Sequence, residues 1–464
     1  MFFNHYGIYF RIVDCFQTKT LVLLLACLLT NWQLFGVPAA KPQVILLTDI
    51  GGDTDDEQSL VRFLYYADHF DIKALCATSR LGHGQDIKPE LISGHLSAYR
   101  EIYPNLIIHS QEFPHPDRLL SLIRKGLGNS ADIGEGFDSE ASEAIIQVVD
   151  ATTDMVHIPV WGGLRELAQA LWKISQTRST RDVDAFCRRI QVHAIGDQDG
   201  HREYLLREFK QLNFIANGFA WQGFTGVREL SAFRGMYMTG QQHMQNGDWI
   251  RANIHGNGPL SDRYQLHGHG TNGMKEGDSP SFLGLIRNGL NAPERPDWGG
   301  WGGRYRLLKG KLWIDAPDYL EGTLNERHSV ARWRTAFQSD FMARVKWAHL
   351  PYAEANHNPV AVVNGHQGPD PLYISAKPGD LIRVDAGGST DPDGQQIHFF
   401  WWVYEEIYRP AKHLHLHGDD QGAAVSFEMP VLASEESIHL IVEVRDQGLP
   451  ALTSYKRIIL SPNP

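Results

Sequence analysis

The sequence is poor in cysteine, which limits the part that disulfides can play in its fold. Only four cysteines occur among 464 residues, and Cys15 and Cys27 lie within the first 40. Cys76 and Cys187 remain in the body of the chain. One bridge between them is left open, because spacing alone cannot establish a disulfide. Disulfides are therefore not the organising principle of the fold.

The chain also lacks an excess of basic residues. It has 43 Lys and Arg against 54 Asp and Glu, which gives a net charge of −11. Surfaces that bind nucleic-acid backbones are basic, so the net charge argues against a nucleic acid polymer as a partner, and none is expected. No internal repeat is visible. A hydrophobic content of 42% is ordinary for a globular protein, and 464 residues favour two domains.

No apolar run is long enough to predict a transmembrane span. Residues 21–29 are apolar, but Asn31 and Gln33 follow and the run is too short. Lys19 precedes it and small residues occupy positions 37–40, which predicts a secretory signal over residues 1–40. We expect an exported protein, periplasmic or extracellular. A lipoprotein anchored through Cys27 is the second hypothesis.

Residues 44–196 alternate short apolar runs with helical stretches. Strands are predicted at 44–47, 72–78, 106–108, 156–161 and 190–195, and helices at 58–66, 90–102, 141–150 and 165–173. This alternation predicts an α/β domain, residues 41–355, with a mostly parallel sheet flanked by helices. Short alternating strands between Gly-, Pro- and Asp-rich turns then predict an all-β domain, residues 356–464, of the immunoglobulin or PKD-like sandwich type.

A dense group of aspartates follows the first predicted strand. Asp49, Asp53, Asp55 and Asp56 lie within eight residues. Close carboxylates repel one another, whereas a hard cation such as calcium is bound by several oxygen ligands. The two glycines between them let the chain fold back. Capping of the next helix is the alternative, but two or three aspartates would suffice for it. The excess favours a metal site.

Other polar residues are expected at the same edge of the sheet. Ligands of parallel sheets bind beyond the carboxyl ends of the strands. Arg80 and Asp197 each follow a predicted strand, as the aspartates do, and Trp161 is the last residue of another. We expect Arg80 and Asp197 to contact substrate there.

Three motifs resemble those of the calcium-dependent nucleoside hydrolases. Residues 48–56, Thr-Asp-Ile-Gly-Gly-Asp-Thr-Asp-Asp, are similar to the aspartate signature, and residues 160–168 to the second signature. Asp278 stands where that family has a late aspartate. The chain more closely resembles a bacterial branch described as cellulose-binding proteins with a nucleoside-hydrolase-like domain. Residues 53–62, 277–281 and 297–304 carry this resemblance, with the appended β-sandwich.

The resemblance implies a nucleoside-hydrolase-like fold and a calcium site. Asp49, Asp56, Asp278 and the carbonyl of Trp161 would hold the ion, with Asp53 as a further ligand or neighbour. Asp49 would remove the proton of a water that attacks the anomeric carbon. The activity implied is calcium-dependent hydrolysis of an N-glycosyl or related glycosyl bond.

The sequence also departs from that family. Gly277 stands where nucleoside hydrolases often have a His that protonates the leaving base, and a Glu-Phe-Asn ribose motif is absent. His83, His201, His267 and His269 are candidate replacements. The second hypothesis is therefore a non-catalytic cellulose- or carbohydrate-binding protein that retains the metal site.

Aromatic residues offer a further route to sugar binding. The chain has 12 tryptophans, and Trp298 and Trp301 lie among glycines. They are predicted to stack on sugar rings, although filling the core or a domain interface is the alternative. Arg304 would contact substrate or only satisfy loop carbonyls. The expected partner is a sugar-containing small molecule or a plant polysaccharide, and a homo-oligomer is left open.

Overall fold

The computed structural model describes residues 40–80, 86–128, 132–218, 220–221, 224–225, 228–267, 272–407 and 414–463. Residues 1–39 of the predicted export segment, with Cys15 and Cys27, lie outside this range. Cys76 and Cys187 are buried free thiols. Within the described residues, no helix combines the length and apolarity needed to cross a membrane.

An eight-stranded sheet forms the centre of the N-terminal part. The strands of this part are Gln43–Thr48 (β1), Asp71–Ala77 (β2), Ile123–Lys125 (β3), Val156–Val160 (β4), Ile190–Ala194 (β5), Asn213–Ala216 (β6), Ala220–Trp221 (β7), Phe224–Thr225 (β8), Tyr305–Lys309 (β9) and Leu312–Asp315 (β10). Strands β7 and β8 pair with each other outside the large sheet, which contains the other eight. Their order in the sheet is β3-β2-β1-β4-β5-β6-β10-β9. Only β9 runs antiparallel to its neighbour. The predicted mostly parallel sheet is confirmed.

Helices cover the sheet. Those of the described chain are Thr54–Tyr65 (α1), Pro89–His109 (α2), Pro116–Ser121 (α3), Glu140–Asp150 (α4), Arg165–Thr177 (α5), Thr180–Cys187 (α6), Arg202–Glu208 (α7), Gly247–Asn253 (α8), Pro280–Leu283 (α9), His328–Ala331 (α10) and Arg334–Lys346 (α11). Both faces of the sheet bury apolar residues: Val44 and Leu46 of β1 belong to the core beneath α1, and Ile45 and Leu47 to the core beneath α4 and α5. Such strands read as continuous apolar runs.

One predicted strand is wrong. Residues 106–108 form the end of α2 instead of a strand. Leu106 is fully buried while Ile108 is 51% exposed. This is the one-sided burial of a helix, and the tertiary contacts of Leu106 outweigh the local β-propensity of the isoleucines.

The C-terminal part is all-β, as predicted. After the small hairpin Asp318–Leu320 (β11) and Thr323–Asn325 (β12), its strands are Val362–Val363 (β13), His366–Gln367 (β14), Leu372–Ala376 (β15), Leu381–Asp385 (β16), His398–Val403 (β17), Ala424–Glu428 (β18), Ile438–Arg445 (β19) and Thr453–Pro462 (β20). A four-stranded sheet, β15-β20-β19-β17, and the pair β16-β18 share one apolar core. Trp401 and Phe427 contribute to it from the two sheets.

The two parts are joined by buried polar contacts, and the chain from Lys41 onward forms one structural unit. Asp318 of β11, which is fully buried, accepts hydrogen bonds from Arg332 and from the Tyr404 hydroxyl, at 3.1 and 2.6 Å. Arg457 of β20 donates to the carbonyls of Leu290 and Gly299. The α/β part and the all-β part therefore share an interface.

Candidate metal and substrate site

A cavity of about 100 Å³ lies beyond the carboxyl ends of the central strands. Segments after β1, β2, β4 and β5 contribute to it, as expected for a parallel sheet. Its lining residues are Asp49, Asp53, Asp55, Asp56, Arg80, Trp161, Ile195, Gln198, Phe233, Arg234, Tyr237, Lys275 and Asp278. Five of the thirteen are aspartates, so this cavity is the candidate site for a cation.

A tight turn after β1 brings the first aspartates together. The Gly52 N–H donates to the Asp49 carbonyl at 3.0 Å, and Gly51 has a φ of +86°, which favours glycine. Asp53 then caps α1, because its carboxylate accepts the Thr54 N–H at 2.8 Å. The helix therefore begins immediately after the turn, and its first-turn aspartates lie beside Asp49.

Three carboxylates converge within the cavity. One oxygen from each of Asp55, Asp56 and Asp278 lies within 4.8 Å of the other two. Asp56 and Asp278 are only 3% and 1% exposed. The Thr48 hydroxyl donates a short hydrogen bond to Asp56. This triad joins the start of α1 to a segment more than 200 residues further along the chain.

Asp278 is positioned by a clamp between α1 and residues 273–279. The Arg62 guanidinium donates to both oxygens of Glu276, at 2.5 and 2.8 Å, and both side chains are fully buried. The Ser279 hydroxyl donates to Ser59 at 3.1 Å. Because charge-assisted bidentate pairs are geometrically specific, they hold Asp278 opposite the first turn of α1.

Burial and mutual repulsion shift the titration of these carboxyls. Burial, with the neighbouring aspartates, raises the pKa of Asp56 and of Asp278 well above the usual range. The same causes raise the pKa of Asp55 to about 6. Burial also raises the pKa of Asp49, although the Arg80 guanidinium opposes this shift. The raised pKa values show that the surrounding protein groups do not offset the negative charge of these carboxylates in full.

The residues present fit a hard cation. Asp49 Oδ1 and Asp278 Oδ2 are buried and have no hydrogen-bond partner among the residues that the structure describes. Buried polar atoms are rarely left unpaired. A Cβ on Gly162 would come within 2.3 Å of Asp49 Oδ1, so only glycine leaves room for this carboxylate. Clustered carboxylate oxygens are the ligands that calcium prefers.

The structure separates the roles of neighbouring aspartates. Asp53, predicted as a ligand, caps α1 and is bound by Lys275, so it stands apart from the triad. Although burial opposes the shift, Lys275 and the Thr54 N–H lower its pKa. Asp55, for which the sequence analysis predicts no such role, belongs to the triad. Helical phase could have indicated this, since Asp53 precedes the helix and Asp55 and Asp56 lie in its first turn.

Two other predicted residues also line the cavity. Arg80 Nε lies 3.2 Å from Asp49 Oδ2. The Trp161 carbonyl accepts a short hydrogen bond from Gln198 Nε2, while the indole N–H donates to Ser281 at 2.9 Å. Gln198 is not among the residues predicted for the site, and it reaches the cavity through the loop after β5.

Asp197 has a different position. Its carboxylate accepts the backbone N–H groups of Gly200 and Arg202, at 3.1 and 3.4 Å, and thereby fixes the start of α7. It is not among the residues lining the cavity. The prediction that it contacts substrate is corrected: it is a loop-capping residue, because nearby backbone donors engage its oxygen.

Trp298, Trp301 and Arg304 are also corrected. Trp298 and Trp301 are 5% and 1% exposed, and their indoles pack edge-on against His439 and Tyr455 of the C-terminal part. Arg304 Nε donates to Asp318 at 2.6 Å. All three residues lie in the interface between the two parts. The two indoles bury apolar surface there, and the Arg304 guanidinium is paired with Asp318. No face of these indoles is open to a sugar ring.

The predicted replacement acids are only partly described. His83 and His269 lie outside the described residues. His267 Nδ1 is 3.0 Å from the Thr54 hydroxyl at the start of α1. The backbone N–H of His201 donates to Asp199 Oδ1 at 3.2 Å. A Cβ on Gly277 would lie 3.1 Å from the Phe233 ring, so a larger side chain there would crowd the cavity.

The molecule is similar to proteins already known. A solved structure of a nucleoside hydrolase-related hypothetical protein from Saccharophagus degradans, described as associated with carbohydrate metabolism, matches with a TM-score of 0.79 and 30% identity, covering 91% of this chain and 100% of that one. Two further solved structures have TM-scores of 0.13: mouse clustered PcdhgC3 EC1-3 (16% identity, 20% of this chain, 30% of that one) and CopC from Methylosinus trichosporium OB3b (14%, 23% and 94%). No curated protein matches.

Fold and site together define a nucleoside-hydrolase-like α/β protein with a C-terminal all-β part. Residues 43–305 match the family model described as cellulose-binding Sde182, nucleoside hydrolase-like domain, and residues 381–462 match that of the cellulose-binding protein Sde0182, C-terminal domain. The chain belongs to this cellulose-binding, nucleoside-hydrolase-like family.

Proposed function

We propose that this protein is an exported, calcium-dependent hydrolase that cleaves an N-glycosyl or related glycosyl bond of a sugar-containing substrate. One observation carries the proposal. Two buried carboxylate oxygens, on Asp49 and Asp278, are unpaired among the described residues and line a cavity that three further aspartates also line. A bound cation compensates such a group, whereas protonation or a hydrogen-bond donor is the alternative. Export is supported by the signal-like sequence of residues 1–40.

The calcium site is assigned to five groups. These are the carboxylates of Asp49, Asp55, Asp56 and Asp278 and the carbonyl of Trp161. When bound, calcium supplies a positive charge that acidifies water and orients sugar hydroxyls.

The side chains that line the cavity would activate the attacking water and contact the substrate. Arg80 holds Asp49 Oδ2, which leaves Oδ1 to accept the proton of the attacking water. The water oxygen bonds to the anomeric carbon, the bond to the leaving atom breaks, the leaving atom takes up a proton from solvent, and Asp49 returns its proton to solvent. Phe233 and Tyr237 border the same cavity and provide aromatic surface for the substrate.

A second function is supported by Gly277 and by the description of the family. The position that would carry the usual acid has no side chain, and the Phe233 ring crowds it. The matching family models are described as cellulose-binding. A carbohydrate-binding protein that retains the metal site without turnover is therefore the alternative.

Turnover and binding assays distinguish the two functions. Release of base or aglycone is measured over a panel of nucleosides and glycosides, with calcium and with chelator. We expect Asp49→Asn to lower kcat/KM by about 100- to 10,000-fold and chelator to abolish turnover. Asp248→Asn is the control, because its carboxylate is 96% exposed. Absence of any turnover, together with retention on insoluble cellulose, would establish the binding function instead.

A further inference from the structure

A protein cation lies at the rim of the acidic triad. Lys275 Nζ makes a short ion pair with Asp53 and lies 3.6 Å from Asp55 Oδ2. Asp55 is a member of the triad. The lysine side chain is 20% exposed, so its ammonium is largely withdrawn from solvent.

The backbone fixes this lysine in place. The Lys275 N–H donates to Gln58 Oε1 at 2.7 Å, and Gln58 Nε2 donates to the Gly273 carbonyl at 3.0 Å. Gln58 is fully buried in α1. The next residue, Glu276, is held by Arg62 of the same helix. The ammonium is therefore tethered beside the carboxylates by the same clamp that positions Asp278.

A charge in this position has opposite effects on two states of the site. Without an added cation, the ammonium offsets part of the repulsion among the aspartates and stabilises the fold. With a divalent ion in the triad, the ammonium repels that ion across a short distance in a partly buried setting, where Coulomb interactions are strong. It also engages Asp53 and so removes one carboxylate from the possible ligand set.

We propose that Lys275 is a tethered counter-ion that sets the affinity of the acidic site for divalent cations. It stabilises the site when no ion is bound and weakens ion binding, so that the ion can exchange. This inference rests on the calcium site of the proposed function.

The experiment measures cation binding without any substrate. Calcium affinity is determined by titration calorimetry, and terbium affinity by luminescence excited through the indole of Trp161, which lines the cavity. The variants are Lys275→Met, which keeps the length and loses the charge, and Lys275→Arg, which keeps the charge. Lys309→Met removes a charge from an exposed position of β9 and is the control. Thermal unfolding is followed with and without calcium.

We expect Lys275→Met to bind calcium about 10-fold more tightly, which corresponds to about 1.4 kcal/mol. Its Tm without calcium falls below that of the wild type, and its calcium-induced rise in Tm is larger. Lys275→Arg and Lys309→Met behave like the wild type. If Lys275→Met is poorly folded without calcium, Lys275→Gln is titrated in its place, and recovery of folding by calcium supports the proposal.

Two results separate the possible failures. Equal or weaker calcium binding by folded Lys275→Met, in a background where the wild type binds, overturns the role of Lys275 and leaves the calcium site intact. Binding by neither protein overturns both the calcium site and this inference. Binding by Lys275→Met alone supports the inference and shows that the wild-type site is weak.

Discussion

Identical side chains two residues apart acquire different properties in this site. Asp53 precedes α1, caps it and pairs with Lys275, and these contacts lower its pKa. Asp55 lies in the first turn, where burial and neighbouring carboxylates raise its pKa to about 6. The chemical role of an aspartate is therefore set by the groups that face it.

Buried histidines show the same dependence on surroundings. His157 of β4 is 5% exposed, and burial lowers its pKa from 6.5 to about 4. Burial likewise lowers the pKa of His193 on the neighbouring β5 to about 4. Below about pH 6.5 an unfolded chain binds protons at these residues, whereas the folded protein excludes them until about pH 4. Stability from these groups is thus lost as the pH falls.

His157→Gln tests this linkage. The wild type should lose about 1.4 kcal/mol of unfolding free energy per pH unit through His157 between about pH 6.5 and 4, about 3 kcal/mol in all. The variant should lack this contribution. Urea unfolding at several pH values measures it, and His366→Gln, at an exposed position, is the control. Equal pH slopes for wild type and His157→Gln would contradict the prediction.

At the level of structural elements, α1 and residues 273–279 are held together by buried hydrogen bonds and an ion pair. Gln58, Ser59 and Arg62 project from α1 and bind the segment that carries Lys275 and Asp278. The aspartates at the start of α1 and Asp278 are therefore held in register by the remainder of the same helix.

Glu276→Gln should remove the ion pair with Arg62 that connects α1 to residues 273–279. A glutamine offers Arg62 one acceptor instead of two and leaves a buried guanidinium without its counter-charge, which costs about 3–5 kcal/mol. Calcium affinity should fall as well, because Asp278 is two residues away. Urea unfolding and calcium titration measure the two effects. Asp150→Asn breaks the more exposed pair with Arg178 and should cost less than about 1 kcal/mol. A comparable small cost for Glu276→Gln would refute the clamp.

At the level of the whole molecule, residues 297–304, which are rich in glycine and tryptophan, join the two parts. Trp298 and Trp301 pack against side chains of β19 and β20, and Arg457 binds the Gly299 carbonyl. Asp318 collects donors from both parts. Because these buried hydrogen bonds need groups from both parts, we expect unfolding of one part to destabilise the other.

Tyr404→Phe should show that coupling. The lost hydroxyl leaves Asp318 short of a donor, which costs about 1.5–3 kcal/mol. Scanning calorimetry should give one transition in the wild type and one, at lower Tm, in the variant. Tyr373→Phe is the control, because that tyrosine is 65% exposed. Two transitions, of which only one shifts, would show that the parts unfold independently.

The pattern of residues along the chain is sufficient to predict the class of fold and the edge of the sheet at which the candidate site forms. Strand–helix alternation requires a parallel sheet, and parallel strands carry their following loops to one edge, so Asp49, Arg80 and Trp161 were predictable as neighbours. The change to short strands after residue 355 likewise predicted the all-β part. These inferences depend only on local pattern and chain direction.

Tertiary structure decided the contents of the site. The triad needs Asp278 to meet Asp55 and Asp56 across more than 200 residues, and Lys275 comes with the same segment. The burial of Trp298 and Trp301 depends on β19 and β20, which lie more than 100 residues away. Such convergence is set by packing between distant elements, whose energies are shared among many contacts and leave no periodic trace in the sequence.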